Sequence, residues 1–322
     1  MPECAAPPSV LPELEELERA IEGCGARLSV AHVPSAGDRP LPVYQLALGS
    51  PRPDVPAVGF FGGVHGLERI GAQVVTAWLH AIAARLAWDE TLHRQLELVR
   101  LVFMPLVNPA GMLRQTRANP AGVDLMRNAP VDADGAPPPL VGGQRLSAGL
   151  PWYRGRAGAP MEPESAAVCD LVERELHGRP FSLALDCHSG FGLRDRIWFP
   201  FAHSTRAIGH LAELHAMHGI FAASHPHHPY LVEPQSRQYL AHGDLWDHLY
   251  LRSLARGGVF LPLTLEMGSW LWVKKNPRQL FSRAGMFNPQ LGHRQQRVLR
   301  RHLPLLHFLV RAAIGGAHWR PP

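Results

Sequence analysis

Apolar positions recur at two spacings along this chain of 322 residues. Residues 11–21 carry them at helical spacing among glutamates, which predicts a short amphipathic helix. Strand candidates follow at 27–33 and 42–48, and then a denser apolar run, 55–61. Residues 70–88 are alanine-rich with a helical pattern. Residues 98–107 are almost continuously apolar and rich in Val and Leu, as a strand buried on both faces of a mostly parallel sheet would be. That run ends in Asn108-Pro109-Ala110-Gly111, a turn signal. Further on, 163–177 predicts a helix, and 181–187 a buried strand ending at His188. Residues 197–201 predict a strand, 206–218 and 243–254 helices, 259–267 a strand, and 290–313 a closing helix. Strand and helix alternate without a compositional break or an internal repeat. The expectation is one α/β domain over residues 1–322, with a helical N-terminal segment of about 25 residues packed on it. Residues 111–163 are polar, rich in Gly and Pro, and without period; an irregular insertion of that length is usually functional.

Composition narrows the class. Hydrophobic content of 46% with 18% charged residues describes a globular protein. No apolar stretch approaches the roughly 18 residues that cross a bilayer. The start, Met1-Pro2-Glu3-Cys4 followed by an acidic segment, lacks a basic and then apolar leader, so the expected compartment is the cytoplasm. The charge of +5 is carried almost wholly by arginine, Lys274 and Lys275 being the only lysines. Those arginines are dispersed, with a mild cluster from Arg294 to Arg301 that reads as a solvated helix face, and no nucleic-acid recognition motif accompanies them. Cys4, Cys24, Cys169 and Cys187 form no CxxC pair, so reduced thiols are expected.

The candidate chemistry lies at strand ends. Gly62-Gly63-Val64-His65-Gly66-Leu67-Glu68 follows the 55–61 run, and its glycines permit a tight turn. An imidazole and a carboxylate with two residues between them can close on one metal ion. His188 ends a second strand, in Leu185-Asp186-Cys187-His188-Ser189-Gly190. Glu266 ends a third, in Leu263-Thr264-Leu265-Glu266-Met267-Gly268. Ligands of open α/β sheets bind beyond the carboxyl ends of the strands. Zinc is the usual metal for a His/Glu/His set, and a catalytic zinc takes three protein ligands and leaves a position for water. Asp186, two residues before His188, is placed to orient a ligand. The histidines between His203 and His248, including His225-Pro226-His227-His228, lack a partner carboxylate motif and read as loop and surface residues, His215 and His218 on a helix among them.

The ordered set resembles the M14-type zinc metallocarboxypeptidases. Its members are the His65-x-x-Glu68 turn, Asn108-Pro109-x-Gly111, Arg117-x-Asn119, Gly122-Val123-Asp124-Leu125-x-Arg127-Asn128, His188-Ser189 and Leu265-Glu266, spanning residues 55–267. The resemblance implies a three-layer α/β/α domain with a mixed, mostly parallel sheet of about eight strands. It also implies one Zn2+ per chain on His65, Glu68 and His188, with Glu266 as general base. By the same resemblance Arg117 polarises the scissile carbonyl and Arg127 grips the substrate's terminal carboxylate. The segment Tyr239-Leu240-Ala241-His242-Gly243-Asp244-Leu245-Trp246-Asp247 resembles the family's mobile loop. It nominates Tyr239 as the residue folding over substrate and Trp246 as the one that shapes the side-chain pocket. One position departs: the family's Asn-Arg pair is here Met126-Arg127, and methionine offers no donor. Asn128 and Asn119 are the nearby candidates to supply one.

The resulting expectation is a zinc metallocarboxypeptidase that hydrolyses a peptide or peptide-like amide beside a free carboxylate. An N-acyl amino acid deacylase of the succinylglutamate desuccinylase/aspartoacylase kind is the alternative, and Met126 makes such a substrate easier to credit. A non-catalytic ligand-binding relative is the third reading, against which the general base Glu266 stands. Substrate identity and oligomeric state are left open.

Overall fold

The computed structural model describes residues 11–34 and 40–321, so Cys4 and the first ten residues of the expected N-terminal segment lie outside them. The first half contains α1 (Pro12–Glu22), β1 (Arg27–Val33), β2 (Leu41–Gly49), β3 (Ala57–Gly62), α2 (Arg69–Leu86), α3 (Glu90–Leu98), β4 (Arg100–Met104) and α4 (Pro109–Arg114). After an irregular stretch come α5 (Pro163–Glu175), β5 (Phe181–Ser189), β6 (Arg196–Phe199), α6 (Leu211–Ser224), β7 (Leu231–Pro234) and α7 (Leu245–Leu254). The chain closes with β8 (Val259–Met267), α8 (Trp270–Lys275), α9 (Gly292–Ile314) and α10 (Gly316–Trp319). The strands form one sheet in the order β1-β2-β4-β3-β5-β8-β6-β7. Pairings β3–β4, β3–β5, β5–β8 and β6–β7 are parallel, and β1–β2, β2–β4 and β6–β8 antiparallel.

Helices cover both faces, as a parallel centre requires. On one face α1, α2 and α9 pack over Val58, Phe60, Leu183, Leu185, Leu263 and Leu265. On the other, α5 and α7 cover Ala57, Phe61, Ala184 and Phe260. Because side chains alternate along a strand, Asp186 and His188 share the face of Ala184, and Glu266 shares that of Phe260. β3 and β5 are buried along their whole length, whereas β1 is mostly exposed at the sheet edge. No single helix among the described residues is long and apolar enough to cross a membrane.

The differences from the predicted elements are local. The run at 98–107 does not begin as strand: Asp89 caps α3 by accepting from the Leu92 N–H at 3.1 Å, and Leu98 ends that helix. β6 stops at Phe199, before Pro200, and α6 lies a turn and more later than expected. The four-residue β7 is too short to leave a periodic trace.

Candidate metal centre and its surroundings

Three donors converge where β3 and β5 end. Glu68 is the residue before α2, and His65 lies one turn earlier, its carbonyl accepting the Glu68 N–H at 3.0 Å. The turn can be this tight because Gly66 has no side chain. A Cβ there would stand 2.0 Å from the Gly111 carbonyl carbon. His65 Nδ1 lies 2.9 Å from Glu68 Oε1, and His188 Nδ1 lies 3.1 Å from Glu68 Oε2 and 3.2 Å from His65 Nδ1. All three residues are buried, and their ligand atoms lie within 4.8 Å of one another. Two ring nitrogens and a carboxylate pointing at one spot suit a shared cation better than one another, since two facing imidazole nitrogens cannot both carry the bridging proton.

The opposite ring nitrogens are held by carboxylates. His65 Nε2 is 3.0 Å from Asp124 Oδ1, and His188 Nε2 is 2.7 Å from Asp186 Oδ2. This is the arrangement that fixes ring orientation in metal sites and leaves the inner nitrogen free to bind. Burial by itself would raise the Asp124 and Glu68 carboxyls. Arg117 and His65 hold Asp124 well below the usual range, and His65 and His188 hold Glu68 down. Asp186 fulfils its expected orienting contact, because two residues on a strand share a face. Asp124 was legible only as part of the Gly122–Leu125 motif, with nothing local to show that it reaches His65.

Glu266 stands directly opposite His188 in the β5–β8 register. Among the described residues its Oε2 is buried without a hydrogen-bond partner, and burial pushes the carboxyl up to about 8, with the Glu68 charge adding to the shift. Arg117 donates from Nε to Asp124 Oδ2 at 2.7 Å and from Nη1 to Glu68 Oε1 at 3.4 Å. Among the described residues its Nη2 has no hydrogen-bond partner.

Arg127 is 2% exposed. It donates to its neighbour Met126's carbonyl at 3.2 Å and to the Tyr239 hydroxyl at 3.2 Å, and Nε has no partner among the described residues. Asp244 Oδ2 is 4.0 Å from Arg127 Nη1, while Asp244 Oδ1 caps α7 through the N–H groups of Trp246 and Asp247. Burial and the neighbouring Asp247 lift Asp244 to about 7. Gly243 lets this corner close: its φ is +72°, and a Cβ would meet the Arg127 carbonyl oxygen at 1.9 Å.

Other expected substrate residues are placed differently. Asn128 donates to the Arg154 carbonyl at 3.0 Å and accepts the Glu162 N–H at 2.6 Å, so both ends of its amide serve the loop. Asn119 is likewise engaged, by Glu162 and Glu164 and by the N–H groups of Ala121 and Val123. Met126, 4% exposed, packs in the apolar cluster with Leu125, Ala129 and Leu245. Trp246 is 3% exposed, packs edge-on against Phe61 and donates its indole N–H to Asp186 Oδ2 at 2.9 Å. Sequence reasoning missed Asn288, which accepts the Ile70 N–H at 2.9 Å and donates to the Leu67 carbonyl at 2.7 Å, pinning the metal turn from the far end of the chain. His225 stacks on Phe221, and His228 Nδ1 lies 3.2 Å from the Arg301 carbonyl.

The model of the zinc carboxypeptidase family, Peptidase_M14, matches residues 16–258. That span includes His65, Glu68, Arg117, Arg127 and His188 and stops before Glu266, whose placement rests on the β5–β8 register. No curated protein matches the sequence. Among solved structures the chain is similar to bovine thrombin-activatable fibrinolysis inhibitor in complex with tick carboxypeptidase inhibitor, at 18% identity and a TM-score of 0.65, covering 94% of this chain and 96% of that one. It is similar to carboxypeptidase A from Helicoverpa armigera at 18% identity and a TM-score of 0.65, covering 94% and 72%. A metallo-carboxypeptidase from Burkholderia cenocepacia matches at 15% identity and a TM-score of 0.55, covering 92% and 68%. At these identities the likeness shows the fold: an α/β domain with a mixed eight-stranded sheet.

Proposed function

The chain belongs to the M14 zinc carboxypeptidase family, and on that footing we propose that it is a zinc-dependent hydrolase of peptide or peptide-like amides that adjoin a free carboxylate. The observation that carries this reading is the convergence of His65, Glu68 and His188 with Glu266 standing one strand away. One bound zinc supplies Lewis acidity, an acidified water, and positive charge that draws Glu266 back toward the range of a base. Asp124 and Asp186 hold the two imidazoles so that each Nδ1 faces inward. Glu266 accepts a proton from the attacking water and returns it to the leaving nitrogen, a role worth roughly 10²- to 10⁴-fold. Arg117 offers its open Nη2 to the oxygen on which negative charge develops. Arg127 is the anchor for the substrate carboxylate, with Tyr239 at its side. Asn128 and Trp246 support the site through the loop and through Asp186.

A panel of C-terminal peptides and N-acyl amino acids, given to zinc-loaded protein, tests this. Cleavage of the peptides supports the proposal. Turnover of N-acyl amino acids alone would transfer the chain to the deacylase reading, which the lack of a free amide beside Arg127 favours. Binding of both without turnover of either would leave a ligand-binding relative.

A further inference from the structure

No Asp or Glu follows Glu266, and the 56 residues beyond it hold ten of the chain's 32 Lys and Arg. The fold gathers part of that charge. Lys275 at the end of α8, Arg294 and Arg297 near the start of α9, and Arg194 from the loop between β5 and β6 line one groove of about 590 Å³. Its apolar wall includes Leu231, Leu271, Trp272 and Val298. The arginines of α9 are therefore one side of a solvated cleft. Among the described residues, the side chains of Arg194, Lys275 and Arg297 have neither an ion pair nor a hydrogen bond, and Arg294 reaches only the Trp272 carbonyl at 3.5 Å. The carboxylate in the groove, Asp195, is already taken by Arg301 and by the Gly268 N–H. Like charges lining one groove repel, and an anion between them relieves that repulsion; the positive end of α9 adds to the field.

The groove starts where the catalytic edge of the sheet ends. Gly268, on its wall, is two residues past Glu266, and Arg196, two residues past Arg194, pairs with Glu266 across β6–β8. At the start of α8 the Trp270 indole N–H donates to the carbonyl of Gly190, two residues past His188, at 2.8 Å. Leu271 and Trp272, directly after Trp270, already line the groove, and α8 carries its wall on to Lys275 over about 9 Å, which an extended peptide covers in about three residues. The Arg127 anchor is in another direction. Tyr239, Trp198, Phe191 and Trp270 form a chain of ring contacts at 6.5, 5.0 and 5.6 Å, with Arg127 at its far end from the groove.

We propose that this groove binds acidic side chains of the substrate, about three to six residues upstream of the hydrolysed bond, and so selects acidic peptides. The inference rests on the peptidase reading. Arginine forks take carboxylates bidentately, and the Trp272 and Val298 wall accepts the methylenes of a glutamate chain.

Two dye-labelled peptides with a common Ala-Phe terminus, one with four glutamates upstream and one with four glutamines, provide the test. The glutamate peptide is expected to show a kcat/KM about ten- to a hundredfold higher at low salt, mostly through KM, and to lose the advantage in high salt. Arg294→Gln/Arg297→Gln is expected to bring it down to the glutamine peptide and to leave the latter unchanged. If that pair does not fold, Arg194→Gln/Lys275→Gln, at exposed positions, takes its place. Anisotropy of the labelled peptides on Glu266→Gln protein reads the groove without turnover, and tighter binding of the glutamate peptide is the expected result. Hydrolysis and binding of both peptides alike would overturn the groove and leave the peptidase standing. Preferred binding with no hydrolysis by wild type would instead remove the proposed function. Capture of wild type, but not the double variant, by phosphatidylserine vesicles with no preference between the peptides would show the groove facing a lipid surface and overturn the inference.

Discussion

In the donor half of the site, His65, Glu68, His188 and Glu266 stand together as their motifs predict; in the substrate half, Asn128, Asn119, Met126 and Trp246 turn to other partners. The two halves also differ in what holds them. His188 and Glu266 sit on β5 and β8, where strand parity and register decide which way each side chain points, and His65 and Glu68 sit in the one hydrogen-bonded turn between β3 and α2. The others come from irregular loops and the first turn of α7, whose backbone groups must also be satisfied. A loop amide is the readiest group for that task. Asn128 and Asn119 are both spent on it, leaving Arg127 with Tyr239 and Asp244 as its surroundings.

The largest expected effect probes the donor half. Glu266→Gln removes a proton acceptor and no ligand, so hydrolysis should fall roughly 10²- to 10⁴-fold while elemental analysis still finds one zinc. Loss of the metal from this variant would mean that Glu266 and Glu68 have been given each other's roles. His65→Ala, in contrast, should lose its zinc.

One layer out, Asp186→Asn and Asp124→Asn should each weaken zinc binding about ten- to a hundredfold, measured by competition with a chelator. Trp246→Phe, which removes the indole donor to Asp186 together with part of the ring system, should weaken it less and leave the preference for the terminal side chain unchanged. A changed side-chain preference in Trp246→Phe would show that this residue also shapes the side-chain pocket.

Met126→Asn tests the substrate half. If an amide were wanted beside Arg127, the substitution would lower KM. Because Met126 packs in the apolar cluster, we expect no gain in KM and a loss of stability of about 1–3 kcal/mol from burying the amide, read from urea melts.

The smallest effect concerns Asp244. Its carboxyl is raised to about 7, above the unfolded value near 3.9, so the folded chain holds this proton more tightly than the unfolded one. Stability from this group is full below about pH 4 and is lost as pH rises through 7. Asp244→Asn keeps the Oδ1 cap of α7 and should stabilise the protein by roughly 1–2 kcal/mol at pH 8 and hardly at all at pH 4. Equal melting shifts at both pH values would show that Asp244 is ionised throughout.

The sequence by itself determined the alternation of strands and helices, the span of β8 and the identities of the three donors. The first two depend on patterns a few residues long, two-residue parity and helical spacing, and the donors on an ordered set of such motifs spread over residues 55–267. The same locality made Asp186 legible, since its distance from His188 is one strand repeat. What only the tertiary structure decided involves partners far apart in the chain. Asp124 meets His65 across 59 residues, Trp246 meets Asp186 across 60, and Asn288 meets Ile70 across 218. The groove gathers Arg194 with Arg294 and Arg297, which no window of the sequence contains together. No local propensity encodes such meetings: they follow from sheet order and from the way α7 and α9 close over opposite faces, and the packing that sets both exists only once the chain has folded.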